Sequence, residues 1–158
     1  MKLNCASRGG FTVEEVELPF LVELYEPATG ELLEDKLIGS IDLVIHEGGR
    51  RILVEHKSSA RRWGVDQLQH DVQLAAYQMA ARQLGITDVG LRYEIVTKAK
   101  EPALQVVEVT RSHEAEDDFR ALAAGVLKAI DAGVSFPIRG TQCTSCAYAA
   151  KCSERRAA

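Results

Sequence analysis

Two carboxylates and a lysine early in the chain carry the strongest chemical signal. Asp42 closes the run Gly39-Ser40-Ile41-Asp42, and Glu55 and Lys57 frame His56 in Glu55-His56-Lys57. Between them, Glu47-Gly48-Gly49-Arg50 reads as a tight turn, because two glycines can take the positive φ of a two-residue hairpin loop. With Gly48 and Gly49 at its centre, Asp42 falls opposite Glu55 on the neighbouring strand, with Cα atoms about 4.5–5.5 Å apart. Like charges so placed repel, and a cation between them turns repulsion into ligation. Glu55 and Lys57 share a strand face, while His56 points the other way. Hard carboxylate oxygens in a partly hydrated site suit Mg²⁺ or Mn²⁺. Such an ion lowers the pKa of a bound water, orients it and stabilises a phosphoryl oxyanion. A lysine beside it can hold the attacking water or the charged transition state. That is the equipment of phosphodiester hydrolysis. The plainer alternative is a surface hairpin with a solvated Glu55–Lys57 pair.

The elements that must position these residues read as a mixed α/β pattern. Val13 to Leu24 is rich in apolar and β-branched residues with partial alternation, which predicts a strand; Pro19 within it points to a sheet edge or a bulge. Glu26 to Glu31 is turn chemistry, Leu37 to His46 a second strand, and Arg51 to Lys57 a third. A basic loop, Ser58 to Trp63, follows. Leu68, Val72, Ala75, Ala76 and Met79 repeat at helical spacing, so one helix is expected over Val65 to Leu84, closed by Gly85. Leu91 to Thr97 and Leu104 to Val109 are two further strands. Ser112 can cap a second helix with Phe119, Leu122, Val126 and Ile130 as its apolar stripe, ended by Gly133 and Pro137. The order β-β-β-α-β-β-α predicts an α/β fold, a mixed central sheet flanked by helices.

The same residues carry a family resemblance. Asp42, then Glu55-His56-Lys57, resembles the core of the PD-(D/E)XK nucleases, and Gln73-Leu74-Ala75-Ala76-Tyr77 resembles the Gln-x-x-x-Tyr motif of the RecB-type branch. The resemblance covers nearly the whole chain and implies a restriction-endonuclease-like fold. It implies that Asp42, Glu55 and the backbone carbonyl of His56 bind Mg²⁺ or Mn²⁺ and that Lys57 serves catalysis. Gln73 and Tyr77, at i and i+4, share a helix face and can reach the site or the nucleic acid. Alone they would read as a surface pair with Tyr77 partly in the core.

Three cysteines, Cys143, Cys146 and Cys152, crowd the C-terminus, and the fourth is Cys5. Thiolates at such spacing bind Zn²⁺ or an iron–sulfur cluster. The arrangement is similar to that of the iron–sulfur nucleases of the AddB type and the CRISPR-associated Cas-four type. That similarity implies a [4Fe–4S] cluster on all four cysteines, with Zn²⁺ as the alternative. The chain then reads as one nuclease domain over residues 1–158. Its parts are the sheet and motif helix (13–109), the second helix (112–132) and the cysteine tail (137–158).

The sequence has 158 residues, 46% of them hydrophobic and 27% charged, within the range of soluble globular proteins. No apolar run approaches the roughly 18 residues of a spanning helix, and Met1-Lys2-Leu3-Asn4 lacks the apolar stretch of a signal peptide, so a cytoplasmic protein is the default. The net charge of −4 does not advertise nucleic-acid binding, although a local basic patch suffices. Arg61 and Arg62 could hold phosphates and Trp63 could stack on a base, against a plain basic loop with Trp63 folded on the core. Lys98 and Lys100 read as an ordinary solvated turn. The function expected is a metal-dependent DNA nuclease, an exonuclease on single-stranded ends, with partner nuclease or helicase subunits in repair or recombination. RecB-type relatives also carry a histidine ahead of the first strand, and His46, His56, His70 and His113 do not supply it. The alternative is therefore a catalytically reduced DNA-binding or interaction module on the same fold, held by a metal centre on the four cysteines.

Overall fold

A computed structural model describes residues 10–154. They divide into two compact units, one running to Ala124 and the other starting at Gly125. The first holds five strands in the order β1-β2-β3-β4-β5: β1 (Thr12–Tyr25), β2 (Leu32–Glu47), β3 (Arg50–Ser59), β4 (Val89–Thr97) and β5 (Leu104–Val109). All neighbours are antiparallel except β3 and β4, which run parallel. A parallel pair needs a crossover, and the chain from Val65 to Gln83 provides it. No described helix is long and apolar enough to cross a membrane.

The hairpin turn forms as its glycines require. Gly48 and Gly49 have φ of 59° and 84°, and Glu47 pairs with Arg50. Pro19 sits on the edge strand β1, and the two register shifts of that strand lie elsewhere, between Val13 and Glu15 and between Glu23 and Tyr25. β2 begins at Leu32, five residues before the expected start. Leu32-Leu33-Glu34-Asp35-Lys36 has little strand propensity, but pairing with β1 and the Lys36–Glu23 ion pair at 2.6 Å extend the strand there.

The expected single helix is two. α1 (Val65–His70) ends at Asp71, whose ψ of 122° is extended, and α2 (Gln73–Gln83) starts anew. The apolar spacing runs on across the break, so periodicity could not reveal it. Side-chain chemistry makes the break. Asp71 Oδ1 accepts the Gln73 N–H at 2.9 Å, and Arg111 donates to the terminal carbonyls of α1 on Leu68 and Asp71 at 2.5 and 3.1 Å.

α2 buries Leu74, Ala75, Ala76, Tyr77, Met79, Ala80 and Ala81 and packs over β1, β3 and β4. Its alanines let the helix approach the sheet closely. Tyr77 meets Phe20 of β1 edge-to-face, ring centroids 6.4 Å apart. Phe20 in turn lies across Gly39, its register partner on β2, where a Cβ would collide with the ring.

The next helix, α3 (His113–Asp131), is capped by Ser112, whose Oγ accepts the Ala115 N–H at 3.2 Å. It is rotated from the expected stripe: Leu122, Val126 and Ile130 are exposed, and Glu116 and Ala124 are buried. Polar bonds to α2 set this rotation. Glu116, fully buried, accepts from Gln78 Nε2 at 2.6 Å and Arg82 NH2 at 2.9 Å. Gly133, at φ 65°, ends α3 as expected. A short 3₁₀ turn (Thr141–Ser145) and α4 (Ala149–Glu154) complete the second unit.

The Phe20–Gly39 contact is testable. Gly39→Ala should lower the unfolding free energy by about 1–3 kcal/mol through overpacking, read as a shifted urea midpoint. Phe20→Leu in the same chain should recover part of the loss.

Candidate active site

The β2–β3 hairpin and the start of α2 bring five side chains together. Glu55 is 3% exposed, in the middle of β3. Its Oε1 lies 2.7 Å from Lys57 Nζ, and its Oε2 accepts the Tyr77 hydroxyl proton at 2.5 Å. Tyr77 Oη is also 3.4 Å from Asp42 Oδ1. A hydroxyl has one proton, and the shorter contact assigns it to Glu55. Gln73 joins both sides: its Nε2 donates to Tyr77 Oη at 3.3 Å, and its Oε1 accepts from Lys57 Nζ. Glu55, Lys57, Gln73 and Tyr77 therefore form one bonded cluster, and Asp42 stands at its edge with Oδ1 3.4 Å from the Tyr77 hydroxyl.

Asp42 reaches the cluster in a way the hairpin register did not foresee. The β2–β3 pairing stops at Leu43 and Val54, one step short of the expected Asp42–Glu55 pair. Had the ladder continued, the alternation of bonded pairs would hand the His56 N–H to the Ile41 carbonyl. Instead Asp42 Oδ2 accepts it at 2.8 Å. On the other side, β1 pairs Val16 with Leu43 and then Leu18 with Ile41, passing over Glu17 and Asp42. Glu17 takes φ 51°, a conformation that side chains with a Cβ rarely adopt.

Burial governs the electrostatics. Desolvation pushes the Glu55 pKa up from its ordinary value. The bonds from Lys57 and Tyr77 and the Lys57 charge pull it back, and the Asp42 charge adds to the rise. Tyr77 is driven well above the usual phenol range, first by burial and then by its bond to the Glu55 carboxylate. Tyr77 thus stays a neutral donor.

Asp71 belongs to this cluster and was missed. Its Oδ1 accepts the Tyr93 hydroxyl at 2.8 Å besides the Gln73 N–H, and its Oδ2 lies 3.8 Å from Lys57 Nζ. An Asp two residues ahead of a bonded N–H is the signature of an Asx turn, but the apolar repeat that runs on past it predicts one unbroken helix over Val65 to Leu84.

Arg61 and Arg62 are exposed, directly after β3. Trp63 is partly buried against Tyr93, ring centroids 5.5 Å apart. Its backbone is held by Gln105 of β5, through Trp63 N–H to Oε1 at 2.9 Å and Nε2 to the Trp63 carbonyl at 3.0 Å. Cys143, Cys146 and Cys152 are exposed free thiols of the second unit, and Cys5 lies outside the described residues. Among the described residues no three His, Cys, Asp or Glu side chains gather as a metal cage. A cleft of about 660 Å³, lined in part by Leu68, Gln78, Leu91 and Arg111, includes no carboxylate of the cluster.

As donors, Asp42 and Glu55 offer hard oxygens on one sheet face, and Asp42 Oδ1 is the least committed of the four, with only the long Tyr77 contact. That set fits a hard divalent ion completed by waters. Lys57 and Gln73 at its rim can hold a water or a phosphoryl oxygen.

Comparison with known proteins agrees with this geometry. A protein-family model, the PD-(D/E)XK nuclease superfamily, matches residues 3–153. Among solved structures, a candidate exonuclease from Eubacterium rectale superposes with a TM-score of 0.54 at 19% identity, covering 89% of this chain and 51% of that one. The protein SSO0001 matches with a TM-score of 0.49 at 19% identity, covering 86% of this chain and 58% of that one. The chain thus spans about half the length of these solved chains, and at such identity the likeness of the first speaks to the fold. No curated protein matches. With the family model spanning almost its full length and the Asp42, Glu55 and Lys57 side chains brought together, the chain belongs to the PD-(D/E)XK nuclease superfamily.

Proposed function

We propose that the protein is a divalent-metal-dependent deoxyribonuclease of the RecB-type branch, an exonuclease acting on single-stranded ends. The observation that carries this reading is the Tyr77 hydroxyl, which reaches both Glu55 and Asp42 while Lys57 bonds the other oxygen of Glu55. Nucleases of this superfamily generally use divalent metals. Asp42, Glu55 and the His56 carbonyl would hold Mg²⁺ or Mn²⁺, which supplies an activated water and charge neutralisation at the phosphoryl group. Lys57 orients the water or the phosphoryl oxygen, and Gln73 holds Lys57 and Tyr77 in register. Asp71 positions Lys57 and Gln73 from behind. Arg61 and Arg62 take phosphates, and Trp63 stacks on a base with the part of its ring that Tyr93 leaves open. The setting is cytoplasmic DNA repair or recombination, with nuclease or helicase subunits as partners. Likeness to the Cas-four and AddB types extends the reading to a [4Fe–4S] cluster, or Zn²⁺, on Cys5, Cys143, Cys146 and Cys152. Its support is that likeness together with the spacing of Cys143, Cys146 and Cys152, whose thiols are exposed.

Three experiments test this reading. Mn²⁺ or Mg²⁺ should support cleavage of end-labelled single-stranded DNA and EDTA should stop it; Asp42→Ala, Glu55→Ala and Lys57→Ala should each lower the rate by at least about 100-fold. Glu55→Ala cutting at the wild-type rate would overturn the assignment and favour a DNA-binding module that has lost its chemistry.

The second uses thermal unfolding. Because the folded pKa of Glu55 is raised, protonated Glu55 favours the fold below its unfolded pKa, and this advantage is lost as pH rises through the folded value. In EDTA, Glu55→Gln should therefore melt above wild type at pH 8, with the gap closing towards pH 4. Mn²⁺ should raise the melting temperature of wild type and not of Glu55→Gln, because only ligation to the native site is stabilising.

The third concerns the cysteines. Anaerobically purified protein should carry iron and absorb near ~400 nm, as thiolate-bound clusters do, and Cys146→Ser should remove both. Stoichiometric zinc without colour would select the alternative metal, and neither metal would end the four-cysteine reading.

A further inference from the structure

Four basic side chains of the first unit stand apart from the rest. Among the described residues up to Ala124, every other Lys or Arg bonds a carboxylate or a main-chain carbonyl, as Lys36 does with Glu23, Arg51 with Glu14 and Arg111 with the end of α1. Arg61, Arg62, Lys98 and Lys100 are exposed and have no such side-chain partner. In an acidic chain with plentiful carboxylates, unpaired cations gathered in one place are available to an outside anion.

They are gathered by the topology. β3 and β4 run parallel and finish together at Ser59 and Thr97. The Lys98 N–H donates to the Ser59 carbonyl at 2.7 Å, tying the two strand exits. From Ser59 the chain passes Arg61 and Arg62 and is clamped at Trp63 by Gln105 of β5. From Thr97 it passes Lys98 and Lys100, and returns at Ala103, held by Thr97 N–H to the Ala103 carbonyl and Ala103 N–H to Thr97 Oγ1, both 2.9 Å. Two basic loops thus leave one sheet end together and are fastened at both of their ends. Glu101 is the single acid within them. Lys57 of the cluster lies two residues before Ser59, so the loops adjoin the carboxylate site along β3.

We propose that Arg61, Arg62, Lys98 and Lys100 form one phosphate-binding rim that receives the sugar–phosphate backbone of a single DNA strand leading into the Asp42–Glu55 site. The inference rests on reading the chain as a DNA hydrolase and adds the path of the strand. Lysines and arginines on exposed loops grip phosphates without reading bases, so binding through the rim is independent of sequence and sensitive to salt.

The test is fluorescence anisotropy of a labelled oligothymidylate with the full chain in EDTA, between about 50 and 200 mM salt. Each single-strand phosphate contact contributes about 0.7 to the slope of log affinity against log salt, so Lys98→Ala/Lys100→Ala should flatten the slope by about 1.4. Lys98→Arg/Lys100→Arg should restore it. Lys36→Ala/Arg51→Ala, which removes the same charge elsewhere, should leave it unchanged. With Mn²⁺, Lys98→Ala/Lys100→Ala should raise KM and leave kcat unchanged, the mark of lost substrate binding. A wild-type slope and KM in Lys98→Ala/Lys100→Ala, in a chain that cleaves DNA, would overturn the rim and leave the hydrolase standing. The expected flattening in a chain that no metal activates would support the rim and overturn the hydrolase.

Discussion

Taking the Glu55 carboxylate out of water costs free energy that only partners can offset. Its two oxygens bond different elements: Oε1 a lysine of its own strand and Oε2 a tyrosine of α2. Much of the surrounding architecture serves those two bonds. α2 must lie close enough for Tyr77 to reach down, which its alanines permit and the Phe20–Gly39 contact props from beneath. Lys57 must be aimed, and Gln73 and Asp71 aim it from the point where the crossover helix is interrupted. A continuous helix there would leave no free N–H on Gln73 for Asp71 to hold.

Asp42 meets the opposite requirement. It must be pulled out of the ladder to become available, and both neighbouring strands give way around it. The β2–β3 pairing ends beside it, and β1 passes it at Glu17 in a left-handed conformation. Strained backbone of this kind persists where surrounding structure over-determines it. Here the paired stretches on either side, Val16 with Leu43 and Leu18 with Ile41, supply that constraint.

Local chemistry made the hairpin legible in the sequence: Gly48-Gly49 fixed its turn, and its register carried Glu55 and Lys57 to one face. The order of elements along the chain, the place of Pro19 at an edge or a bulge, and the caps at Ser112 and Gly133 followed from equally local signals. What stayed hidden depends on contacts distant in sequence. The break at Asp71 is made by its own carboxylate together with Arg111, beyond β5, and the rotation of α3 by Glu116 reaching Gln78 and Arg82. In each case a charged side chain overrode an apolar repeat that pointed elsewhere. Lys98 and Lys100 read as a solvated turn for the same reason, since the strand exits that bring them beside Arg61 and Arg62 pair across the crossover.

That crossover also orders events in time. The Gly48–Gly49 turn closes between residues adjacent in the chain, so the β2–β3 hairpin can form within microseconds. Pairing β3 with β4 must first close a much longer loop, which makes parallel contacts slow to gain. Asp42, Glu55 and Lys57 thus share a strand pair early, as three charges with little to shield them from water or each other. Tyr77 arrives only when the crossover is docked. The buried carboxylate is complete only where the crossover is docked, and without that packing the chain would carry the acidic and basic residues of the site without the environment that tunes them.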